Sequence, residues 1–168
     1  MNEIVLLLST GGTIDEIEAD PVTGWSRFFG GNISKMVAES GEPDVRVEQL
    51  FAKESLAITD EDRALILERC KTCPEKRIVI THGTNTMIET AKFLAGQSKD
   101  KTIVFVGAFV PYVREHSDAV SNLKFAIANA RTLPAGVYVA MSGKAFPWND
   151  VKKNKGKQIF ENLKKAVE

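Results

Sequence analysis

A short apolar run that ends abruptly in hydroxyls and glycines is the feature that most constrains the fold of this chain. Residues 4–8 are unbroken aliphatics, and residues 9–13 have the sequence STGGT. A run this short before turn residues is typical of a strand buried on both faces, as in a parallel sheet. The glycines allow a sharp turn and leave room for a ligand close to the main chain. We therefore expect Thr10 and Thr13 at the edge where open α/β sheets bind ligands. An ordinary strand-to-loop turn explains this stretch, taken alone, equally well.

The rest of the chain alternates apolar runs with helical patterns. We predict strands at residues 4–8, 45–51, 77–80, 101–106 and 136–141. Helices are predicted at residues 33–39, 59–70, 85–95, 117–130 and 156–167. This alternation predicts an α/β fold, an open doubly wound parallel sheet with helices on both faces. Because the carboxyl ends of parallel strands meet at one rim, the hydroxyls and glycines after them should converge on one crevice. These residues are 10–13, 55, 81–85, 107–108 and 142–143.

Residues 15–31 form a long polar stretch that we predict to be a loop. Loops of this length inside a compact domain are usually functional or disordered. Trp25 and the pair Phe28 and Phe29 could fold over a ligand, with Gly24 as a hinge. We interpret the loop as a lid, and a merely flexible loop is the alternative.

The composition of the chain excludes some classes of function. The 168 residues are enough for one domain with a full core. Lys plus Arg and Asp plus Glu both number 22, and this balance argues against a nucleic-acid partner. The first strand begins almost at once, without the basic segment of a signal peptide, and no stretch approaches the ~18 apolar residues of a membrane span. We therefore predict a cytoplasmic protein with no membrane partner.

The chain offers few residues for metal or redox chemistry. Cys70 and Cys73 are spaced as Cys-x-x-Cys, but no second Cys/His pair follows, so we interpret them as structural. His82, His116 and the scattered carboxylates lack the spacing of metal ligands, and the paired glycines do not match a phosphate or dinucleotide loop. A threonine hydroxyl can act as a nucleophile where a base takes its proton and donors hold the oxyanion. The crevice thus predicts acyl transfer from an amide or ester without a metal or cofactor.

Two motifs resemble the signatures of one enzyme family. Residues 9–14 (STGGTI) resemble the first signature of bacterial-type L-asparaginases, and residues 80–91 (ITHGTNTMIETA) resemble the second. Residues 106–123 are similar to the stretch that follows in that family. The resemblance covers essentially the whole chain but only the N-terminal domain of the family, whose ordinary members are roughly twice as long. It implies that residues 1–168 are a short single-domain relative without the C-terminal domain, unless the chain is truncated.

The resemblance implies roles for three residues in hydrolysing L-asparagine to L-aspartate and ammonia. Thr13 matches the primary nucleophile, and Thr84 matches the second threonine across the substrate. Lys153, in the segment DVKKN, matches the lysine that partners the second threonine. A lysine held neutral by burial can act as a base through a hydroxyl. The alternative is that Lys153 belongs to a solvated face, because Lys152, Lys155 and Lys157 surround it.

Further positions match substrate-binding residues of the family. Ser55 matches the serine that helps bind the substrate α-carboxylate, and the carbonyl of Ala108 matches the one that faces the leaving amide nitrogen. The motif glycines Gly12 and Gly83 are assigned to substrate binding on the same ground. His82 is not catalytic in the family, and we expect it to make structural hydrogen bonds.

Asn85 is the main departure from the family pattern, which has aspartate at this position as a partner of the substrate α-ammonium. Losing a buried charged partner costs on the order of 2–5 kcal/mol. We therefore predict a high KM for L-asparagine and little glutaminase activity, unless Glu89, Asp118 or a neighbouring subunit supplies an acid. The family also uses a glutamate from the partner subunit's second domain, and it often carries a tyrosine in the lid, for which Trp25 is the nearest substitute.

The resemblance implies a homo-oligomer, because active sites of the family lie near subunit interfaces. Two other functions stay open. The chain could hydrolyse another small amide, such as glutamine or a D-amino-acid amide. It could also be a non-catalytic module that binds an amino acid, an alternative that Asn85 favours and that Thr13, Thr84 and Lys153 argue against.

Overall fold

The computed structural model describes residues 3–19, 22, 26–29 and 31–163. Within these residues, six strands form the main sheet, and two antiparallel pairs lie outside it. The main-sheet strands are β1 (Val5–Gly11), β4 (Val45–Lys53), β5 (Arg77–Thr81), β6 (Thr102–Val106), β7 (Gly136–Met141) and β8 (Lys144–Pro147). The pairs are β2 (Glu16–Ala19) with β3 (Ser26–Phe29), and β9 (Lys152–Asn154) with β10 (Ile159–Glu161). The helices are α1 (Ile33–Ser40), α2 (Asp60–Thr72), α3 (Met87–Leu94) and α4 (Ala119–Thr132).

The sheet confirms the predicted α/β class. Its order is β4-β1-β5-β6-β7-β8, with every neighbouring pair parallel except β7 and β8. Every residue of β1 and β6 is buried, as their unbroken apolar sequences predict for strands covered on both faces. The strand order reverses between β1 and β5, and a crevice outside the carboxyl ends of the strands is expected at such a point.

The helices pack in two groups, α1 with α4 and α2 with α3. The connections through α1 and α4 run in opposite directions across the sheet, from β1 to β4 and from β6 to β7, yet these helices contact each other. Two connections between parallel strands that lie on one face and run in opposite directions must have opposite hands. One of the two is therefore left-handed, whereas nearly all such connections are right-handed. This arrangement carries residues 107–118 across the carboxyl rim toward α1, where the Tyr112 hydroxyl bonds the Glu39 carboxylate.

Local signals explain where the best-predicted helix begins. The Thr59 hydroxyl accepts the Asp62 N–H, and the Asp62 carboxylate accepts the Thr59 N–H, which completes a capping box. Cys70 and Cys73 lie at the other end of α2 as buried free thiols, and burial raises the pKa of Cys70 to about 12. Lys101 is buried as well, and its ammonium donates to the carbonyls of Cys73 and Glu75 beyond this helix end.

The predicted helix at residues 156–167 is wrong over the part that the structure describes. Ile159–Glu161 instead pairs antiparallel with Lys152–Asn154. The side-chain oxygen of Asn154 accepts the Lys157 N–H, and Gln158 has a φ of 50°, so the intervening residues form a turn. Residues 164–168 lie outside the described residues.

The predicted loop at residues 15–31 is also wrong in part, because β2 and β3 form an antiparallel pair within it. Gly24 and Trp25 lie outside the described residues, so the lid stays a prediction. Ser142 and Gly143 follow the carboxyl end of β7, as predicted, and lie in the turn of a hairpin. Both have positive φ, as a two-residue turn between hairpin strands requires, and they join β7 to β8.

Candidate active site

Three loops meet in close contact at the carboxyl rim, where the strand order reverses. A Cβ on Gly12, after β1, would lie 2.5 Å from the Gly83 nitrogen, after β5. A Cβ on Gly83 would in turn lie 2.6 Å from the Cβ of Ser55, after β4. Only glycine leaves room for this approach, and the φ of 84° at Gly12 also favours glycine. The two motif glycines therefore bring Thr13 and Thr84, the residues that follow them, to neighbouring positions.

Thr13 opens a short 3₁₀ turn, Thr13–Asp15, and is half-buried. The Gly12 N–H donates to the Lys53 carbonyl at 3.1 Å, and the Asp15 N–H donates to the Gly12 carbonyl at 3.1 Å, so both sides of the turn are fixed. Over the described ranges, no residue makes a hydrogen bond to the Thr13 hydroxyl. The backbone of Thr13 is therefore fixed, while its hydroxyl remains available to a bound molecule.

Hydrogen bonds from two other segments of the chain hold this turn. The Tyr112 N–H donates to the Ile14 carbonyl at 3.4 Å. The buried Asp15 carboxylate accepts the N–H groups of Gly31 and Asn32, at 3.3 and 2.9 Å. Burial raises the pKa of Asp15, and these N–H groups oppose that shift. The turn after β1 is thus tied to the start of α1 and to the segment after β6.

Lys153 reaches the second threonine. Its Nζ lies 2.8 Å from Thr84 Oγ1 and 2.9 Å from Asn85 Oδ1. The ammonium is also 5.6 Å from the ring centroid of Phe109, and this ring packs against Phe160 with centroids 6.0 Å apart. Desolvation lowers the pKa of Lys153, and repulsion from Lys155 adds to the shift. The structure therefore brings together Thr84, Asn85 and Lys153, three of the residues singled out from the sequence.

Ser55 is buried beside these loops with an unused hydroxyl. The residue is 1% exposed, and no hydrogen-bond partner for Oγ exists among the described residues. The Thr86 hydroxyl donates to the Ser55 carbonyl at 2.8 Å, which ties the turn after β4 to the start of α3. An unpaired buried hydroxyl costs free energy, so a hydrogen bond from Ser55 to a bound oxygen atom next to Gly83 would be stabilising.

Ala108 lies on the adjoining loop after β6 and is buried. Its neighbour Gly107 packs against the second motif, since a Cβ there would lie 2.6 Å from the His82 carbonyl and 3.3 Å from Thr84 Cγ2. The Asp118 carboxylate accepts the N–H groups of Phe109 and Val110, and the side-chain amide of Asn122 as well. Asp118 thus fixes this loop and is not free to replace the missing acid, while Glu89 is exposed on α3.

His82 is a positioning residue behind the loop. The residue is fully buried, and Nδ1 lies 2.8 Å from the Gly83 carbonyl, an acceptor, so we assign the proton to Nδ1. Nε2 then accepts the Thr90 hydroxyl at 2.8 Å, and Thr90 accepts the Arg63 guanidinium at 3.0 Å. Burial lowers the pKa of His82 to about 4, so the ring is neutral and holds the Gly83 carbonyl in place.

The sequence interpretation missed Phe109, whose ring lies beside the Lys153 ammonium, and Phe160, which packs on Phe109 and pairs with Lys153 in the hairpin. The position of Phe160 was not predicted, because it falls in the helix that was wrongly predicted at residues 156–167. The turn residues Asn154 and Gly156 before Ile159 and Phe160 are the signal that indicates a hairpin here. The Ser142 hydroxyl accepts the Phe160 N–H at 3.1 Å and holds β10 against the sheet.

The described residues contain neither a metal-binding cluster nor a membrane-spanning helix. Within residues 3–19, 22, 26–29 and 31–163, no group of three or more His, Cys, Asp and Glu side chains is close enough to hold a metal ion. Over the same residues, no helix combines the length and apolarity of a membrane span.

Comparisons with known proteins agree with this geometry. The chain is 32% identical over 163 residues to the glutaminase-asparaginase of Pseudomonas fluorescens biotype A, covering 89% of this chain and 45% of that protein. It is 32% identical over 161 residues to L-asparaginase 2 of Escherichia coli, covering 89% of this chain and 46% of that protein. The crystal structure of a probable cytoplasmic L-asparaginase from Campylobacter jejuni superposes with a TM-score of 0.82 at 28% identity, over 96% of this chain and 53% of that one.

The family model described as "Asparaginase, N-terminal" matches residues 4–163. The chain spans about half the length of the curated asparaginases it matches, and the matched part contains both threonine motifs and the hairpin that carries Lys153. By this match, which extends over nearly every residue, the chain belongs to the asparaginase family.

Proposed function

We propose that the protein is an amidohydrolase that converts L-asparagine and water to L-aspartate and ammonia. The observation that carries this proposal is the 2.8 Å contact between Lys153 Nζ and Thr84 Oγ1, next to a Thr13 hydroxyl that no described residue engages. A base, a relaying hydroxyl and a nucleophile are the groups that acyl transfer from an amide needs. The family match and the names of the relatives support the same reaction.

The proposed chemistry uses two hydroxyls in turn. Neutral Lys153 takes the proton of Thr84 while the Thr84 oxygen takes the proton of Thr13, and the Thr13 oxygen attacks the side-chain amide carbon of the substrate. The new C–O bond forms and the C–N bond breaks, and the Lys153 ammonium returns its proton through Thr84 to the departing nitrogen, which leaves as ammonia. Water then attacks the ester on Thr13, releasing L-aspartate and restoring the hydroxyl. Desolvation, which lowers the pKa of Lys153, raises the fraction of the lysine in the neutral form that this step requires.

Substrate binding is proposed to depend on the neighbouring loops. We propose that the Ser55 hydroxyl, which has no partner among the described residues and lies beside Gly83, donates to the α-carboxylate, next to Gly12. The carbonyl of Ala108 accepts a hydrogen from the amide nitrogen. Asn85 supplies no negative charge, so we propose weak binding of L-asparagine, a high KM and little activity on L-glutamine.

Ammonia release from L-asparagine, followed up to tens of millimolar with L-glutamine in parallel, tests the proposal. We expect saturation only at high concentration, and much slower release from L-glutamine. A folded protein that releases no ammonia from either amide would contradict the proposal.

A non-catalytic amino-acid-binding module is the second candidate, because Asn85 and not a carboxylate lies beside Lys153. Thr13→Ala separates the two functions. In an enzyme, the substitution abolishes ammonia release, whereas in a binding module it leaves the affinity for the amino acid unchanged and there is no turnover to lose.

Assembly and cellular location are further proposals. We propose a homo-oligomer in the cytoplasm. Light scattering on the purified protein measures its mass in solution, and a monomer at all concentrations would contradict the proposed assembly.

A further inference from the structure

We infer that Asn85 makes this site prefer amides of dicarboxylic acids that carry no α-ammonium group, such as succinamate, over L-asparagine. This inference rests on the proposed amidohydrolase function and deepens it. It concerns which substrates the same site prefers. The evidence is the hydrogen bonds of Asn85 and the charges near Lys153.

The hydrogen bonds of Asn85 fix which of its atoms is available to a substrate. Lys153 Nζ lies 2.9 Å from Asn85 Oδ1, and an ammonium can only donate, so the acceptor oxygen of Asn85 is already used. The remaining group, Nδ2, carries two donors, and no described residue accepts from them. A donor cannot bind an ammonium, which is itself a donor. Asn85 therefore offers a substrate a partner for a carbonyl or carboxylate oxygen and none for a cation.

The charges near the reacting groups also disfavour a substrate that carries a cation. Both hydrogen-bond partners of Lys153, Thr84 and Asn85, are neutral. In the described part of the chain, no carboxylate contacts Lys153, and Lys155 adds positive charge nearby. The Asp118 carboxylate is engaged by the loop after β6. While Lys153 carries its proton, a cation in the crevice thus meets like charge and a carboxylate is attracted. When Lys153 is neutral, a cation still finds no carboxylate partner beside it.

The size of L-asparagine puts its α-ammonium group near Lys153. Its α-nitrogen is three bonds from the amide carbon, which puts it within about 4 Å of that carbon, given bonds of roughly 1.5 Å. A substrate whose amide carbon reaches Thr13 and Thr84 therefore brings its ammonium close to Lys153. Succinamate has the same amide and carboxylate with hydrogen in place of the ammonium, so it keeps the favourable contacts and loses the repulsive one.

The test compares kcat/KM for succinamate and L-asparagine in the wild type and in Asn85→Asp. We expect the wild type to favour succinamate by about tenfold, and Asn85→Asp to shift this ratio by about fivefold toward L-asparagine, because Asn85 is exposed and an exposed ion pair contributes at most on the order of 1 kcal/mol. Gln97→Glu adds the same charge to an exposed residue at the opposite end of α3, and it should leave the ratio unchanged. A wild type that favours L-asparagine, or a ratio that Asn85→Asp leaves unchanged, would overturn the inference.

Binding separates this inference from the proposed reaction. Calorimetry on Thr13→Ala measures the affinities of succinamate and L-asparagine without turnover. Tighter binding of succinamate, with no ammonia released by the wild type, would support the selectivity and contradict the hydrolase. Ammonia release together with tighter binding of L-asparagine would support the hydrolase and overturn the selectivity. If Asn85→Asp does not fold, the comparison of the two substrates in the wild type still decides the inference.

Discussion

The two sides of the proposed site are built in different ways. The threonine side consists of turns that leave β1 and β5 in the middle of the sheet, where the backbones of Gly12 and Gly83 touch. The lysine side is a hairpin of two three-residue strands, outside the main sheet. The packing of the core fixes the position of the threonine side. A few hydrogen bonds and two aromatic rings hold the lysine side against it.

The anchors of the hairpin are few and specific. The Asp150 carboxylate accepts the Leu163 N–H at 3.1 Å and the Asn162 side-chain amide at 2.9 Å. The Ser142 hydroxyl holds β10, and the ring of Phe160 is buried against Phe109. The difference suggests that substitutions on the threonine side act first on stability, whereas substitutions on the lysine side act first on activity.

On the lysine side, Lys153→Met should give the largest effect on activity. It removes the proposed base and keeps most of the aliphatic volume beside Phe109, so we expect kcat/KM for ammonia release to fall by about 10³-fold, in the range of general acid–base catalysis. The free energy of unfolding, measured in urea, should change little. Lys157→Met is the matched control, because Lys157 is an exposed lysine of the same hairpin. Equal losses in both variants would show that the hairpin charge matters and not the contact with Thr84.

Gly12→Ala should give the largest effect on stability. The added Cβ would lie 2.5 Å from the Gly83 nitrogen, and overpacking together with the positive φ should lower the free energy of unfolding by about 3 kcal/mol. Gly41→Ala is the control: Gly41 has a similar φ of 73° and no atom within 4 Å of its Cβ position, so about 1 kcal/mol is expected. Equal losses for the two variants would mean that the glycine contact contributes nothing beyond conformation.

The pH dependence should give the smallest effect. The proposed base, Lys153, would act in its neutral form, so kcat/KM should rise with pH as the ammonium loses its proton. Because desolvation lowers the pKa of Lys153, this rise should occur at lower pH than for an ordinary lysine. Asn85→Asp places a carboxylate beside the ammonium, which raises that pKa and should move the rise to higher pH. A profile that is identical in the two proteins would indicate that Lys153 is not the titrating group.

The threonine side was largely predictable from the sequence, because its signals are local. The apolar run before Thr10 and the one before Thr81 are unbroken, and hydroxyls with glycines follow both, which places the motifs at the carboxyl rim. The contact between Gly12 and Gly83 was not predictable, because it joins segments about seventy residues apart through the register of β1 and β5.

The lysine side was predictable only through the resemblance to the family. Strands of three residues are too short to show the alternation that identifies a half-buried strand. Ile159 and Leu163 have helical spacing, which explains the wrong helix at residues 156–167. The positions of Phe109 and Phe160 over Lys153 depend on this hairpin, so local patterns could not reveal them.

Ammonia release measured side by side for the wild type and Thr13→Ala tests the central claim most directly. With L-asparagine and succinamate as substrates, we expect steady release by the wild type and none above background by the variant, with both proteins equally folded by circular dichroism. Release by Thr13→Ala at the wild-type rate would contradict the proposed nucleophile. A folded wild type that releases no ammonia from either amide would contradict the proposed function itself.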